Sequence, residues 1–313
     1  MSAMNAGPAA GLALGALADL VLGDPRRGHP VAGFGRAANA LERRGWRDSR
    51  AAGAVHVVAL VGGAAGVGRG LDLVTRGRPL TRTAVTALAT WTVLGGTSLG
   101  RAAGRMHTAL DAADLDRARA ALPALAGRDP SGLDAGELAR ATVESVAENT
   151  SDAAVAPLFW GAVAGLPGLL GYRAINTLDA MVGHRSPRYE RFGWAAARLD
   201  DAANWLPARL TAALTVACAP LTGGSARGGL RVWWRDGAAH PSPNAGRCEA
   251  AMAGALGLRL GGRNRYGDRV EDRPHLGNGR LPRAADIPRA VRLSRGVWLT
   301  AAVLATAARS NRP

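Results

Sequence analysis

The sequence predicts an all-α protein: a polytopic integral membrane helical bundle with extramembrane amphipathic helices and loops. Three observations predict it. Segments 51–68, 83–100 and 153–172 carry no charge over about the ~20 residues that a bilayer crossing needs. Ala, Leu and Arg, which favour helix, dominate the composition. Alternating β-branched runs are absent, and no Asn-Gly turn joins two such runs. The chain, 1–313, reads as a single helical membrane domain with a loop-rich stretch at 259–295 and a last apolar helix at 296–308.

With 313 residues, 48% apolar and 20% charged, the chain is long enough for a large core and too apolar to be disordered. All 39 basic residues are arginine, which excludes a P-loop lysine, a pyridoxal phosphate Schiff base and a Ser-Lys dyad. Two cysteines, Cys218 and Cys248, supply neither a disulfide framework nor a zinc quartet, so no zinc is expected. The net charge of +15 comes with 4% aromatics and arginines scattered among acids, a pattern that argues against a nucleic-acid partner. It suits loops beside anionic membrane lipid, or sites for phosphorylated and carboxylated substrates.

In chain order, the first apolar run, 6–23, has no basic segment ahead of it and is expected to stay in the mature protein. Asp19 interrupts it, either capping a helix near the interface or joining a polar site. The run ends in Gly23-Asp24-Pro25 and His29-Pro30. Glycines at 62–70 lack the strand and the Gly-Lys-Ser/Thr of a phosphate loop, so close helix packing is expected to explain them. His56 and His107, each alone on a helical stretch, read as structural. Region 105–142, broken at Leu122-Pro123 and at 127–132, reads as amphipathic helices outside the bilayer. Pro157 and Gly165-Leu166-Pro167-Gly168 inside 153–172 suggest a re-entrant helical hairpin. Segments 210–224 and 296–308 are marginal spans, and arginine in every connecting loop leaves membrane orientation open.

Polar residues concentrate in a few places. Arg140, Glu144, Glu148 and Asp152 recur at steps of four with Asn149 beside them, forming one charged stripe if helical. Carboxylates this close need a cation, and magnesium takes such oxygen ligands. The alternative is a solvated face held by Arg140–Glu144 pairing. Downstream, 172–205 carries Arg173, Asn176, Asp179, Arg185, Arg188, Tyr189, Arg191, Asp200, Asp201 and Asn204. This is either a site with arginine clamps for phosphate or carboxylate or an arginine-acid surface network. The loop at 239–249 offers His240, Ser242, Asn244 and Glu249, as site residues or as a turn and helix cap.

Taken together, GDPRRGHPV at 23–31, ESVAENTSDAAVAPLFW at 144–160, YRAINTLDAMVGHR at 172–185, RYERFGWAAARLDDAANWLPARL at 188–210 and HPSPNAGRCEAAMAGALGLRLGG at 240–262 resemble the CobD/CbiB family of cobalamin biosynthesis, in the same order over roughly 16–262. The resemblance implies a multi-pass enzyme of the cell (inner/plasma) membrane, adenosylcobinamide-phosphate synthase. Such an enzyme joins the corrinoid adenosylcobyric acid to aminopropanol or its O-phosphate through an amide, with ATP as co-substrate and another pathway protein as a further partner. A carboxylate is a poor acyl donor, so activation as an acyl phosphate is expected. On chemical grounds Glu144, Glu148, Asn149 and Asp152 are expected to hold magnesium-ATP, and Arg173, Arg185, Arg188 and Arg191 to neutralise phosphates and the corrin carboxylate. Asp179, or Asp200 with Asp201, is expected to take the proton of the attacking ammonium. Asp24, His29, Asn176, Tyr189, Asn204, His240, Asn244 and Glu249 complete the expected substrate-binding set. The competing readings are a non-enzymatic AmpE-like membrane signalling protein and a soluble α-helical ligase.

Overall fold

The computed structural model describes residues 3–25, 29–184, 186–266 and 269–311. Helices α1 (Ala3–Leu22), α2 (Pro30–Gly45), α3 (Arg50–Val74), α4 (Pro79–Val93), α5 (Gly96–Asp111), α6 (Leu115–Ala121), α7 (Ala135–Thr150), α8 (Ala156–Leu178), α9 (Trp194–Ala203), α10 (Trp205–Cys218), α11 (Ala226–Asp236) and α12 (Ala245–Leu256) precede β1 (Leu260–Tyr266), β2 (Arg269–Leu276) and α13 (Asp286–Ser310). The chain is thus predominantly helical, and the expectation of no strand is corrected. Within the stretch read as loop, β1 and β2 pair antiparallel with Leu260 opposite Leu276 and Arg263 opposite Asp272, offset by a bulge between Leu260 and Gly262. Gly261 makes the bulge: its φ is +82°, and a Cβ would lie 2.1 Å from the Pro274 carbonyl oxygen, a conformation open to glycine alone.

The chain packs into two compact units. The first comprises Met1–Gly95, Ala156–Asn204 and Ala301–Pro313, the second Gly96–Val155 and Trp205–Thr300. Two helical runs, Arg50–Val74 and Ala135–Gly183, are long and apolar enough to cross a membrane, and Gly7–Leu22 is a shorter apolar helix. The charge-free run 83–100 is no single span, because α4 stops at Leu94, whose backbone is extended.

In the first unit α1 lies against α4 through small residues. A Cβ on Gly11 would sit 2.5 Å from Thr86 Cβ, and one on Gly15 2.4 Å from Thr90 Cβ, the close approach that small residues four apart allow. Of the glycines at 62–70, Gly68 alone meets a neighbour, the Leu166-Pro167 backbone, whereas Gly62, Gly63, Gly66 and Gly70 face open space. Close packing therefore explains one of them. His56 packs on the Phe192 ring, the structural role expected of it. Asp19 is fully buried inside α1.

Helix α8 breaks at Gly165, which takes φ +65° and ψ −148°. Ala156 and Tyr172, which a straight helix would hold about 24 Å apart, share one apolar cluster with Ala203. The chain therefore doubles back at the break, as the Gly-Leu-Pro-Gly sequence predicts. In the second unit α7 opens on a capping box in which Asp134 accepts from the Glu137 N–H at 2.8 Å and Glu137 accepts from the Asp134 N–H at 3.0 Å. Its side chains from Leu138 to Ala147 are buried, so α7 is a core helix. Helix α6 gives way to a 3₁₀ turn at Leu122–Ala124, where the Leu-Pro break was expected.

Candidate functional site

Among the described residues, each unit gathers buried polar side chains beside the motifs singled out in the sequence. In the first, the returning arm of α8 ends in a π-helical turn at Asp179–Gly183. Gly183 lets the Asp179 carboxylate lie against the backbone, since a Cβ there would fall 1.9 Å from Oδ1. Helix α9 brings in Asp200 and Asn204. The Tyr172 hydroxyl donates to Asn204 Oδ1 at 2.8 Å, and Asn204 Nδ2 donates to Asp200 Oδ2 at 3.0 Å. Burial, then the Asp179 carboxylate, push Asp200 up to about 7, against the hydrogen bonds of Asn204 and Asn176. Arg173 donates to Asn176 at 3.5 Å. His29 caps α2, accepting from the Val31 N–H at 3.2 Å. Burial holds His29 below the usual imidazole range, with Asp24 opposing that shift and Arg173 adding to it.

The site residues expected at Asp24, His29, Arg173, Asn176, Asp179, Asp200 and Asn204 are thus brought together. Others are not. Arg188 donates to Glu42 at 2.8 Å and Tyr189 to the same carboxylate at 3.0 Å, with Arg188 lying 4.7 Å over the Trp46 ring. Arg191 pairs with Asp48 at 3.5 Å on the surface. Arg188 and Arg191 thus pair with acids, as in the arginine-acid network kept as the alternative, and Tyr189 shares the Glu42 carboxylate. Asp201 is half-exposed beside Arg198, apart from the hydrogen bonds that hold Asp200. Arg185 lies outside the described residues.

The second cluster gathers around α7. Glu144 accepts from Arg128, from Arg140 at 3.3 Å and from the Gly261 N–H at 2.7 Å. Arg140 also donates to Gly261 O at 2.9 Å and Asn264 Oδ1 at 3.0 Å, tying α7 to β1. Arg273 of β2 donates to His240 Nε2 at 3.1 Å. Burial and this guanidinium push His240 down to about 4, so its ring is neutral. Glu249 is buried, and burial with Glu144 and Glu148 beside it raises its carboxyl well above the ordinary range, against Arg128 and Arg273. In the loop before α12, the Ser242 hydroxyl accepts from the Asn244 and Ala245 N–H groups at 3.3 and 3.1 Å. Ser242, and not Asn244, therefore supplies the cap.

Two of the residues expected to hold magnesium-ATP have protein partners. Glu144 is occupied by two guanidinium groups, and the Asn149 amide donates back to the Ser145 carbonyl at 3.0 Å. The helix widens into a π turn at Ser151–Val155, which contains Asp152. Burial, together with nearby Asp152 and Glu148, pushes the Cys248 thiol well up. Among the described residues no group of three or more His, Cys, Asp or Glu side chains is arranged to hold a metal ion.

Tyr172, Glu42, Arg128 and Arg273 escaped the sequence reading. Tyr172 opens a motif that had been singled out. Glu42, Arg128 and Arg273 are single charges in polar segments, where surface and buried positions look alike.

A family model described as CobD/Cbib protein matches residues 12–294, and the chain belongs to this family. Cobalamin biosynthesis protein CobD of Mycobacterium tuberculosis (strain ATCC 25618 / H37Rv) is 58% identical over 280 residues, covering 89% of this chain and 88% of the relative. The proteins of the same name from Geobacter metallireducens and Rhodobacter capsulatus are 45% and 44% identical, covering 85% and 86% of this chain and 85% and 87% of each relative. No solved structure matches. Membership supports a role in cobalamin biosynthesis.

Proposed function

We propose that the protein is a membrane-embedded, ATP-dependent ligase that joins a corrin side-chain carboxylate of adenosylcobyric acid to aminopropanol or aminopropanol O-phosphate. The observation that carries this reading is the Asp179–Asp200 pair, in which Asp200 titrates at about 7. An amine substrate arrives as an ammonium and must lose a proton before it can attack. Two adjacent carboxylates attract the cation, and a base with a pKa near neutrality is matched to accepting its proton. Asn176, Asn204 and Tyr172 fix the Asp200 carboxylate. Asp24, His29 and Arg173 stand beside the same arm of α8 as groups for the polar part of a substrate.

The corrin carboxylate attacks the γ-phosphorus of ATP, releasing ADP and forming an acyl phosphate. The amine, its proton passed to Asp200, then displaces inorganic phosphate as the amide forms. Magnesium enters with the nucleotide as part of that co-substrate, and no step is assigned to a resident metal. In membranes carrying the protein, adenosylcobyric acid, each amine and magnesium-ATP should yield the amide and ADP. Asp200→Asn should cut product formation by about 10²–10⁴, and Arg191→Gln should leave it unchanged. No amide with either amine, or undiminished turnover by Asp200→Asn, overturns the reading and favours a non-enzymatic role.

A further inference from the structure

In the second unit, α5, α6 and the start of α13 line a groove of about 700 Å³. Two glycines four apart on α5, Gly100 and Gly104, open it. A Cβ on Gly100 would sit 3.4 Å from Val291 Cγ1, whereas one on Gly104 would meet nothing within 4 Å. The helices thus touch at Gly100 and part at Gly104. His107, a turn further on, meets the Ala284 carbonyl at 3.1 Å and holds the chain before α13 against α5. Ile287, Pro288 and Val291 give the groove an apolar wall. Its rim is cationic: Arg101 and Arg105 from α5, Arg117 from α6 and Arg292 from α13, all exposed. Among the described residues no acidic side chain lines it, and Arg105, Arg117 and Arg292 enter no ion pair. Three acids near them in sequence are engaged elsewhere. Asp114 caps α6, accepting from the Arg117 N–H at 2.9 Å, Asp116 pairs with Arg119 at 3.4 Å, and Asp286 pairs with Arg280 and Arg289 at 2.6 and 2.9 Å. A cleft lined by one sign of charge over apolar walls concentrates the opposite charge.

We propose that this groove binds an anionic phospholipid, its phosphate on Arg105, Arg117 and Arg292 and an acyl chain along Pro288 and Val291 over Gly104. A soluble anion would use the rim and leave the apolar wall wet, whereas a lipid uses both. Arg292 also stands one turn before the apolar run 296–308 of the same helix, and basic pockets beside such runs suit anionic headgroups. The inference rests on the membrane part of the ligase reading.

The full chain, purified in detergent and mixed with equal amounts of phosphatidylglycerol and phosphatidylcholine, should retain phosphatidylglycerol preferentially when native mass spectrometry counts its bound lipids. Arg105→Gln/Arg292→Gln should cut that retention about tenfold or more. Gly104→Leu fills the groove without changing its charge and should also cut it. Arg227→Gln, exposed on α11, should change nothing. Circular dichroism checks folding, and Arg105→Gln alone serves if the double variant misfolds. Equal retention of the two lipids, or a preference that survives either the charge variant or Gly104→Leu, overturns the proposal. Saturable binding of ATP in place of phosphatidylglycerol assigns the groove to a soluble anion and overturns it as well. The measurement is made in detergent, so a chain that resists carbonate extraction yet shows no lipid preference strikes the groove alone, whereas release by carbonate strikes the membrane reading.

Discussion

Asp200 turns a local geometry into a pH dependence whose sign is fixed. An unfolded Asp titrates near 3.8, whereas folding lifts Asp200 to about 7, first through burial and then through Asp179. Between these values the folded chain holds a proton that the unfolded chain has released, so this group makes stability fall as pH rises from about 4 to about 7. Thermal unfolding followed across that range should show the slope in the native chain and lose it in Asp200→Asn. Turnover should run the other way, rising with pH through about 7 as Asp200 becomes able to accept a proton, and falling by about 10²–10⁴ in Asp200→Asn. Glu144 carries a second prediction at this scale. Its side chain is 2% exposed and that of Arg128 8%, so Arg128→Ala strands a buried charge that only Arg140 and one N–H still compensate. A loss of about 3 kcal/mol is expected, measurable by denaturant unfolding in detergent. Removing Arg191 from its pair with Asp48, where the side chains are 61% and 55% exposed, should cost less than about 1 kcal/mol.

At the scale of elements, glycine does opposite jobs on two helices of the first unit. On α1, Gly15 is packed so closely on α4 that an added Cβ would meet the Ala87 carbonyl oxygen at 2.6 Å as well as Thr90. Gly15→Val should therefore force the two helices apart and cost about 1–3 kcal/mol. On α3, Gly66 has nothing within 4 Å of its Cβ position, and Gly66→Ala should stabilise that helix by roughly 0.5–1 kcal/mol. Paired thermal-inactivation measurements separate the two, and a destabilised Gly66→Ala would mean that this face of α3 is covered. The contrast also marks what the sequence reveals. The break at Gly165 was legible because Gly-Leu-Pro-Gly cannot continue a helix, whichever neighbours surround it. The glycines at 62–70 were misread because whether a glycine is contacted depends on a partner distant in sequence. The β1–β2 pair was missed for a similar reason. Arg263, Asn264 and Arg273 follow no apolar alternation, and these strands are anchored by hydrogen bonds from Arg140 to Gly261, Asn264 and the Arg263 carbonyl at 2.9 Å.

For the molecule as a whole, the question is what solvent its apolar exterior meets. Within the first unit Val55 and Val58 of α3 are 70% and 71% exposed, Val74 67%, and Leu80 of α4 84%. Only 22% of the apolar window of α3 is buried, whereas a core helix of a soluble protein is covered by its neighbours. In water such faces associate or bind another apolar phase. In hydrocarbon they carry no penalty, and helices there associate through small residues, as α1 does with α4. Hydropathy foretold the two helical runs long and apolar enough to cross a membrane, because such a crossing sets a length that the sequence alone must satisfy. The polar clusters were less legible. Asp24 and His29 meet Arg173 only through folding, and the resemblance of whole motifs, not any spacing, placed them in one site. The expected consequence is that the protein stays with membranes through alkaline carbonate and high salt and is released by detergent. Release into the supernatant by carbonate alone would mean that the faces of α3 and α4 are covered by protein, and the membrane part of the proposal would fall while the Asp179–Asp200 site stood.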